Sequence, residues 1–367
     1  MTKYINDVVS LTDRLMLKNR VVLAPITLSV CQPGGYVSED DISFYKRRAC
    51  SVGLVITGSA YIHPQGQAFA NSYSVAEDDK IQGLSSLAKT IQEQGAKAIL
   101  QLYHGGRMVP PHLIEGLPVA PSAVKGNHGS VIVPRPLKSL EVDDLLKQFL
   151  DAIRRAEAAG FDGVELHGAN TYLIQQFFSP HSNIRQDKWG GSFNNRLRFP
   201  KTLLKRAKQL VKLEFNRPFV IGYRFSPEEI EETGITLWDS LQLIEQLIQQ
   251  GVDYLHISSS DVWRSSLRDQ EAKSPIIKQI ISKIKGRVPL IASGNIHTIQ
   301  DVEKILSADI PLFSVGKALL LDPDWTQKIA EDHEETIIRK YQDRLQEQIE
   351  LPIDFVNSLR SYLEEDA

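Results

Sequence analysis

Three polar side chains follow one short apolar run at a spacing that could do chemistry. The segment reads His167-Gly168-Ala169-Asn170-Thr171-Tyr172. The small residues between His167 and Asn170 allow a tight turn, so an imidazole and an amide can donate hydrogen bonds to one substrate oxygen. The phenol of Tyr172 has an ordinary pKa of about 10, so it is protonated at neutral pH and can act as an acid. A lone histidine here would more often be structural, but the three groups together favour a catalytic segment.

Two glycines late in the chain could admit a phosphate group. Gly294 and Gly316 each follow an apolar run, and Lys317 places a cation beside Gly316. Backbone amides exposed at glycine, together with a cation, form the kind of anion cradle that is common in late barrel loops. Either glycine alone would more often be a turn residue.

These residues need elements that bring them together, and the chain shows a regular alternation. Short β-branched or apolar runs alternate with longer segments of helical period, which is typical of parallel strands joined by crossover helices. The runs are 21–26, 53–57, 98–102, 163–166, 219–223, 254–257, 289–292 and 312–315. Eight such units predict an α/β fold, a single (β/α)8 TIM barrel.

The punctuation between the runs predicts helix ends. Gly160 stands where a helix favours a left-handed C-terminal residue, and a strand follows at once. Thr298 is a predicted N-cap with Asp301 in the first turn of the helix that follows.

Three segments do not fit the repeat. Residues 108–140, rich in Pro, Gly, Ser and His, are too long for a strand-to-helix turn and predict a capping insertion after the third strand. Residues 179–200 predict a long loop after the fourth strand, fixed by a polar network of Arg185, Asp187 and Arg196. The amphipathic pattern over 334–364 predicts a C-terminal helical extension; it could mediate a homo-oligomer, but a solvated helix at the barrel edge would have the same pattern. We treat 1–367 as one domain.

Barrel enzymes place their sites at the carboxyl ends of the strands. Seven of the eight predicted strands have candidate site residues at or just beyond that end. They are Ala24, Pro25, Ile26, Thr27, Gly58, Gln101, Tyr103, His167, Asn170, Tyr172, Arg224, Ser293, Gly294, Asn295, Gly316 and Lys317.

Several of these residues belong to ordered motifs that resemble the old yellow enzyme family from Asn19 to about Trp325. The motifs are Ala24-Pro25-Ile26-Thr27, Gln101-Leu102-Tyr103-His104-Gly105-Gly106-Arg107, and a block from Gly160-Phe161-Asp162-Gly163-Val164-Glu165 through Tyr172-Leu173, Ser179-Pro180 and Arg185 to Trp189-Gly190-Gly191 and Asn195-Arg196. The resemblance implies a TIM barrel that binds FMN non-covalently and takes hydride from NADH or NADPH.

The resemblance also implies a role for each strand-end residue. Ser293, Gly294, Asn295, Gly316 and Lys317 would hold the FMN phosphate. Ala24, Pro25, Ile26, Thr27, Gly58, Gln101 and Arg224 would surround the ring system and the ribityl chain. The substrate would meet His167, Asn170, Tyr172 and Tyr103, with Tyr172 as proton donor. Arg224 could instead pair with Glu165, and Trp263 and Arg264 could line the substrate mouth.

One position departs from the family pattern. The family usually has arginine after the glycine of the eighth strand, whereas this chain has Lys317. An ammonium cannot make the bidentate fork of a guanidinium, so flavin affinity or flavin reduction potential is expected to differ from that of the family.

The activity implied by the resemblance is reduction of an activated alkene, such as an α,β-unsaturated carbonyl or nitroalkene, with quinones as further acceptors. Two alternatives stay open: a flavin-binding barrel without alkene turnover, and a lyase that uses Lys317 or Lys97 as a Schiff base. The sequence does not distinguish NADH from NADPH as the donor.

Composition limits the partners. The chain has 42 basic and 45 acidic residues and a formal charge of −3, which disfavours nucleic acid and anionic membrane as partners. Cys31 and Cys50 are too few for a disulfide framework or an iron–sulfur cluster, and we expect no metal and a cytoplasmic setting. We also expect no membrane-spanning segment.

Overall fold

Eight parallel strands, each paired with its neighbours in chain order, close into a barrel because the first strand also pairs with the last. In the computed structural model, which describes residues 2–126 and 132–365, they are β1 (Val21–Leu23), β2 (Leu54–Ile56), β3 (Lys97–Tyr103), β4 (Gly163–Gly168), β5 (Val220–Phe225), β6 (Tyr254–Ile257), β7 (Leu290–Ser293) and β8 (Leu312–Val315). The predicted TIM barrel is therefore confirmed. β1 is shorter than the first predicted run, 21–26. It ends early because Pro25 has no amide hydrogen to continue the ladder.

A helix follows each of the first seven strands. They are α1 (Glu39–Ala49), α2 (Ile81–Glu93), α3 (Ser139–Ala158), α4 (Arg198–Glu214), α5 (Leu237–Gln249), α6 (Ile276–Ile284) and α7 (Ile299–Ser307). Thr298 caps α7 as predicted, in a reciprocal capping box with Asp301. Gly160 has a φ of 90° just beyond α3, the left-handed backbone predicted for it.

Short elements complete the chain. After β8 come α8 (Lys317–Leu321), α9 (Trp325–Ala330), α10 (Gln346–Ile349) and α11 (Ile353–Glu364). Two further short helices, Leu173–Phe178 and Phe193–Arg196, lie in the loop after β4. Single 3-10 turns occur at Thr2–Asn6, Pro64–Gly66, Asp78–Lys80, Gly106–Met108, Pro111–Leu113, Glu334–Thr336 and Asp343–Leu345. Strand Ala60–Tyr61 extends the sheet beside β3.

The amino end of the barrel is sealed by a hairpin. Strands Val9–Thr12 and Leu15–Leu17 pair antiparallel. Their buried leucines form one apolar cluster with inward-pointing residues near the starts of the barrel strands. The cluster comprises Leu11, Leu15, Leu17, Val22, Leu54, Ile56, Ile99, Val220, Tyr254, Ile291 and Leu312. Any site that needs solvent access must therefore lie at the carboxyl end of the strands.

The insertion after β3 and the loop after β4 are tied together at that end by one guanidinium. Arg185 forms a bidentate pair with Asp187, and its Nη1 donates to the carbonyls of Pro121 (2.8 Å) and Leu137 (2.5 Å). Within the insertion, strands Val119–Ala120 and Arg135–Pro136 pair with each other. Residues 127–131 of the predicted cap lie outside the described residues.

Two sequence-based predictions for the loops need correction. Arg196 does not join the Arg185 network; its guanidinium donates to the carbonyls of Phe178 and Gly191. The C-terminal segment 334–364 is not one helix, because it is broken before α11, which begins immediately after Pro352. Proline disfavours helical backbone in the residue before it. No helix in the described part of the chain has the length and apolarity needed to cross a membrane.

Gly222 gives the fold a testable weak point. A Cβ built on it would lie 2.0 Å from Cζ of Tyr254, whose ring fills the barrel interior. We expect Gly222→Ala to lower the free energy of unfolding by about 1–3 kcal/mol through overpacking. Gly83→Ala in α2 is the control, since its Cβ would lie 3.4 Å from Val37 and alanine favours helix by up to ~1 kcal/mol. Urea unfolding of both variants measures this; equal stability of the two would contradict the expected clash.

Candidate active site

The register of three neighbouring strands gathers polar side chains at the carboxyl end of the barrel. Arg224 on β5 pairs in register with His167 on β4 and with His256 on β6. In a strand alternate residues face the same side, so these residues share the barrel interior with Glu165 and Gln101 one step below. The interior therefore changes from apolar at the sealed end to polar at the open end.

His167 is held as a neutral hydrogen-bond donor. The amide of Ala169 donates to its Nδ1 at 3.3 Å, so the ring proton of the neutral form lies on Nε2. Burial lowers the pKa of His167 well below its usual value, and the electrostatic effects of Arg224 and His256 lower it further. The ring can thus donate from Nε2 without carrying a charge.

Asn170 is oriented by two serines. Its backbone has a φ of 55° in the left-handed region, followed by Thr171 at 62°, which forms the tight turn predicted for this segment. The hydroxyl of Ser258 donates to Oδ1 of Asn170 at 2.8 Å, and the amide of Asn170 donates to Ser226 at 3.0 Å. Because Oδ1 faces Ser258, the Nδ2 hydrogens point elsewhere and can donate.

Tyr172 lies against the same histidine. Its ring meets that of His167 edge-on, with centroids 4.9 Å apart, and that of Tyr103 at 5.3 Å. Burial, with a smaller effect from Tyr103, raises the pKa of Tyr172, so the phenol keeps its proton. Tyr103 is fully buried, and its hydroxyl accepts from the amide of Ala68 at 3.0 Å. Its contact with the site is through its ring.

A carboxylate below these groups has a hydrogen-bond partner on each oxygen. Glu165 accepts from Nε2 of Gln101 at 2.7 Å on one oxygen and lies 2.9 Å from Nδ1 of His256 on the other. His256 in turn lies 2.9 Å from the hydroxyl of Ser314. The alternative pairing of Arg224 with Glu165 is present only as a charge interaction. Nε of Arg224 is buried with no partner among the described residues.

The late glycines border a cavity of about 460 Å³. It includes the predicted phosphate residues Ser293, Gly294, Asn295, Gly316 and Lys317, and Ala24. Gly294 has a φ of 118°, and a Cβ there would lie 2.5 Å from the carbonyl oxygen of Ser259. A Cβ on Gly316 would instead make only ordinary van der Waals contact, 3.8 Å from Cβ of Ala24. The backbone at Gly316 is thus less crowded than that at Gly294.

Seven residues that line this cavity were not among the predicted site residues. They are Ser259, Ser260, Ile296, His297, Ser314, Val315 and Tyr362. Tyr362 comes from α11, and Nζ of Lys317 lies 4.5 Å over its ring and donates to the carbonyl of Glu365 at 3.0 Å. The serines after β6 had a readable signal, since they follow a barrel strand. Nothing in the sequence indicated that α11 returns to β8.

The loop after β1 reaches the same end. The amide of Ala24 donates to the carbonyl of Val315, and Thr27 lies 3.4 Å from the hydroxyl of Ser59. The amide of Gly58 donates to the hydroxyl of Tyr45, and a Cβ on Gly58 would lie 2.4 Å from the carbonyl oxygen of Ile26. Pro25, Ile26 and Thr27 stay half-buried, facing the opening.

Other predicted residues do not line the cavity themselves. Arg264 pairs with the buried Glu228 at 3.2 Å, and Trp263 lies under the ammonium of Lys304. Lys97, one of the two alternative Schiff-base lysines, begins β3 at the sealed end, 3.9 Å from Asp162, away from the open end where Lys317 lies. In the described ranges 2–126 and 132–365, no group of three or more His, Cys, Asp or Glu side chains could hold a metal.

These features fit FMN. The cavity offers glycine backbone and a lysine for a phosphate, while the unpartnered Nε of Arg224 offers a buried positive donor for the pyrimidine side of the ring. The fit rests on the donor types and on the orphaned guanidinium nitrogen.

Comparison with known proteins agrees with this assignment. The model of the NADH:flavin oxidoreductase / NADH oxidase family matches residues 11–336. A probable NADH-dependent flavin oxidoreductase of Bacillus subtilis is 39% identical over 326 residues, covering 88% of this chain and 87% of the relative. The NADH:fumarate oxidoreductase of Klebsiella pneumoniae is 44% identical over 322 residues, which is 87% of this chain. This chain spans only 35% of the length of that relative.

A solved structure gives the same result for the fold. An old yellow enzyme homologue from Zymomonas mobilis superposes with a TM-score of 0.79 and 23% identity, covering 93% of this chain and 95% of the homologue.

The neutral state of His167 can be measured directly. At pH 6.5 an exposed histidine is about half protonated. Burial and nearby positive charge lower the pKa of His167. We therefore expect His167 to be neutral, with its proton on Nε2, both at pH 8 and at pH 6.5. Nitrogen chemical shifts of labelled histidine report both properties, and the signal lost in His167→Gln assigns them. A titration midpoint near 6.5, or a proton on Nδ1, would contradict this geometry.

Proposed function

This chain belongs to the NADH:flavin oxidoreductase / NADH oxidase family, and we propose that it reduces activated alkenes with NADH or NADPH as hydride donor and non-covalent FMN as cofactor. The acceptor class is α,β-unsaturated carbonyls, with nitroalkenes and quinones as further acceptors. The observation that carries the proposal is the trio at the end of β4: two oriented donors, His167 and Asn170, beside the protonated phenol of Tyr172.

In this proposal the strand-end residues hold FMN in two groups. Ser293, Gly294, Asn295, Gly316 and Lys317 bind the phosphate at the cavity between β7 and β8, which supports this placement. Ala24, Pro25, Ile26, Thr27, Gly58, Gln101 and Arg224 border the ring and the ribityl chain. When bound, FMN supplies the site that accepts a hydride from the nicotinamide and returns it to the alkene.

The protein's own groups then act on the acceptor. Nε2 of His167 and Nδ2 of Asn170 bind the carbonyl oxygen, orient the alkene and stabilise negative charge as it develops on that oxygen. A well-placed donor of this type contributes about 3 kcal/mol to the transition state. The hydroxyl of Tyr172 holds the proton that the α-carbon requires. Tyr103 supports the phenol through its ring contact.

The name of one relative agrees with this acceptor class. The Klebsiella pneumoniae protein is an NADH:fumarate oxidoreductase, and fumarate is an α,β-unsaturated acid. This chain spans about a third of that relative, so the activity of the whole relative does not by itself identify the acceptor of this chain.

We expect the purified protein to carry one FMN that heat releases. The phosphate cavity and ring-edge donors provide tight binding, and the motif segments offer no cysteine for attachment. Absorbance of the released cofactor, its chromatographic identity and anaerobic bleaching by NADH and NADPH are the measurements. Protein that stays colourless after incubation with FMN would refute the proposal.

Tyr172→Phe should separate the two halves of the reaction. Flavin reduction by NAD(P)H protonates no substrate carbon, so its rate should stay close to wild type. Enone reduction should slow by about a hundred-fold to ten-thousand-fold, as for other lost general acids. Stopped-flow absorbance measures each half-reaction.

The control is Tyr223→Phe, which removes a buried hydroxyl with no partner among the described residues and lies on the outer face of β5. Both half-reactions should keep wild-type rates in this control. Undiminished enone turnover in Tyr172→Phe, or equal slowing of both halves, would show that Tyr172 only packs.

A further inference from the structure

The buried carboxylate of Glu165 has no part in the proposed chemistry, yet it lies in the middle of the residues that carry it. Glu165 and His256 are both 0% exposed, inside the barrel between the apolar cluster at the amino end and the open carboxyl end. An ionised carboxylate in such a place is costly unless it is paired and hydrogen bonded.

The strand register builds the position of Glu165. Gln101 on β3 and Gly222 on β5 flank it in register. Gly222 has no side chain, and this leaves room for the ring of Tyr254 beside the carboxylate. Both oxygens of Glu165 are occupied, one by Gln101 and one by His256.

The pKa directions of the two buried groups, with their hydrogen bonds, indicate a charge state. Burial lowers the pKa of His256 despite the opposing effect of Glu165, so the ring is neutral. Its Nδ1 then carries the proton and donates to Glu165, while Nε2 accepts from Ser314. Burial alone would raise the pKa of Glu165, but His256, Arg224 and Gln101 outweigh burial and lower it. The network is therefore one negative charge facing one positive charge, Arg224.

The contact with Glu165 also orients the amide of Gln101. Because Nε2 of Gln101 donates to the carboxylate, Oε1 is turned away from it and is available as an acceptor. A glutamine in the reversed orientation would place its oxygen against the carboxylate. Glu165 therefore decides which end of the Gln101 amide is presented to a ligand.

We propose that Glu165 is a positioning residue for the flavin, which fixes the amide of Gln101 and, through its charge opposite Arg224, holds down the reduction potential of the bound cofactor. The inference rests on the proposed function, which places Gln101 and Arg224 at the flavin ring. A reduced flavin carries more negative charge than an oxidised one, so Arg224 favours the reduced form and Glu165 opposes it. His256 keeps the carboxylate in place from the opposite side.

The test compares FMN-loaded wild type, Glu165→Gln and Glu165→Asp. In Glu165→Gln the opposing charge is gone, so the equilibrium should shift at least about tenfold toward reduced flavin, a rise of about 30 mV in the two-electron midpoint potential. Glu165→Asp keeps the charge but is one methylene shorter, so its potential should match wild type. Its FMN dissociation constant should increase about tenfold because Gln101 loses its support. Dye-coupled anaerobic titration gives the potentials, and fluorescence titration of FMN gives the dissociation constants.

The outcomes separate the two proposals. If wild type binds no FMN, the proposed function fails and this inference with it. If wild type binds FMN but Glu165→Gln has an unchanged or lower potential, or Glu165→Asp shifts it equally, the role of the charge is overturned. Should Glu165→Gln not fold, Glu165→Asp alone decides: wild-type FMN affinity would overturn the positioning of Gln101, and weaker affinity at an unchanged potential would support it.

Discussion

The structure depends on the parallel register of β3, β4, β5 and β6. That register sets Gln101 beside Glu165 and Arg224 between His167 and His256. Because side chains alternate along a strand, a slip of one residue would turn all of these groups out of the barrel and bring apolar residues in. The apolar cluster that seals the amino end makes such a slip costly. The slip would turn the strand residues that pack against the hairpin leucines out of the barrel interior. The polar site and the apolar seal are thus two consequences of one pairing.

Local patterns predicted the barrel well because its strands are short, buried on both sides and separated by marked turns. The runs 254–257 and 312–315 coincide with β6 and β8. The turn after β4 was also predictable, because Gly168 and Ala169 occupy the tight bend between His167 and Asn170. What failed were predictions that depend on distant parts of the chain. Tyr362 reaches the cavity only because α11 packs back against the end of the barrel. Pro352 indicated the helix break before α11, but the amphipathic pattern across the whole segment was given more weight.

The pairing of Glu165 with His256 shows why the inner network was missed. The two residues are 91 positions apart and meet through strands that are not adjacent in the barrel. Each reads in the sequence as an isolated polar residue in an apolar run. Only the closed barrel shows that Glu165 is shared by Gln101 and His256. It also shows that Nε of Arg224 has no partner in the part of the chain that the structure describes. The alternative of an Arg224–Glu165 hydrogen-bonded pair was chemically reasonable, but in the structure the two groups interact only through their charges.

The balance of charge at the open end also determines which group can be the acid. Arg224 is the positive charge that faces His167, and both histidines are neutral because burial and this cation lower their pKa values. Neutral imidazole is a good hydrogen-bond donor from Nε2 but a poor source of a proton. Tyr172, whose pKa is raised by burial, holds its proton over the whole physiological range and lies edge-on to the donor ring. The same buried environment therefore assigns binding of the substrate oxygen to His167 and supply of the proton to Tyr172.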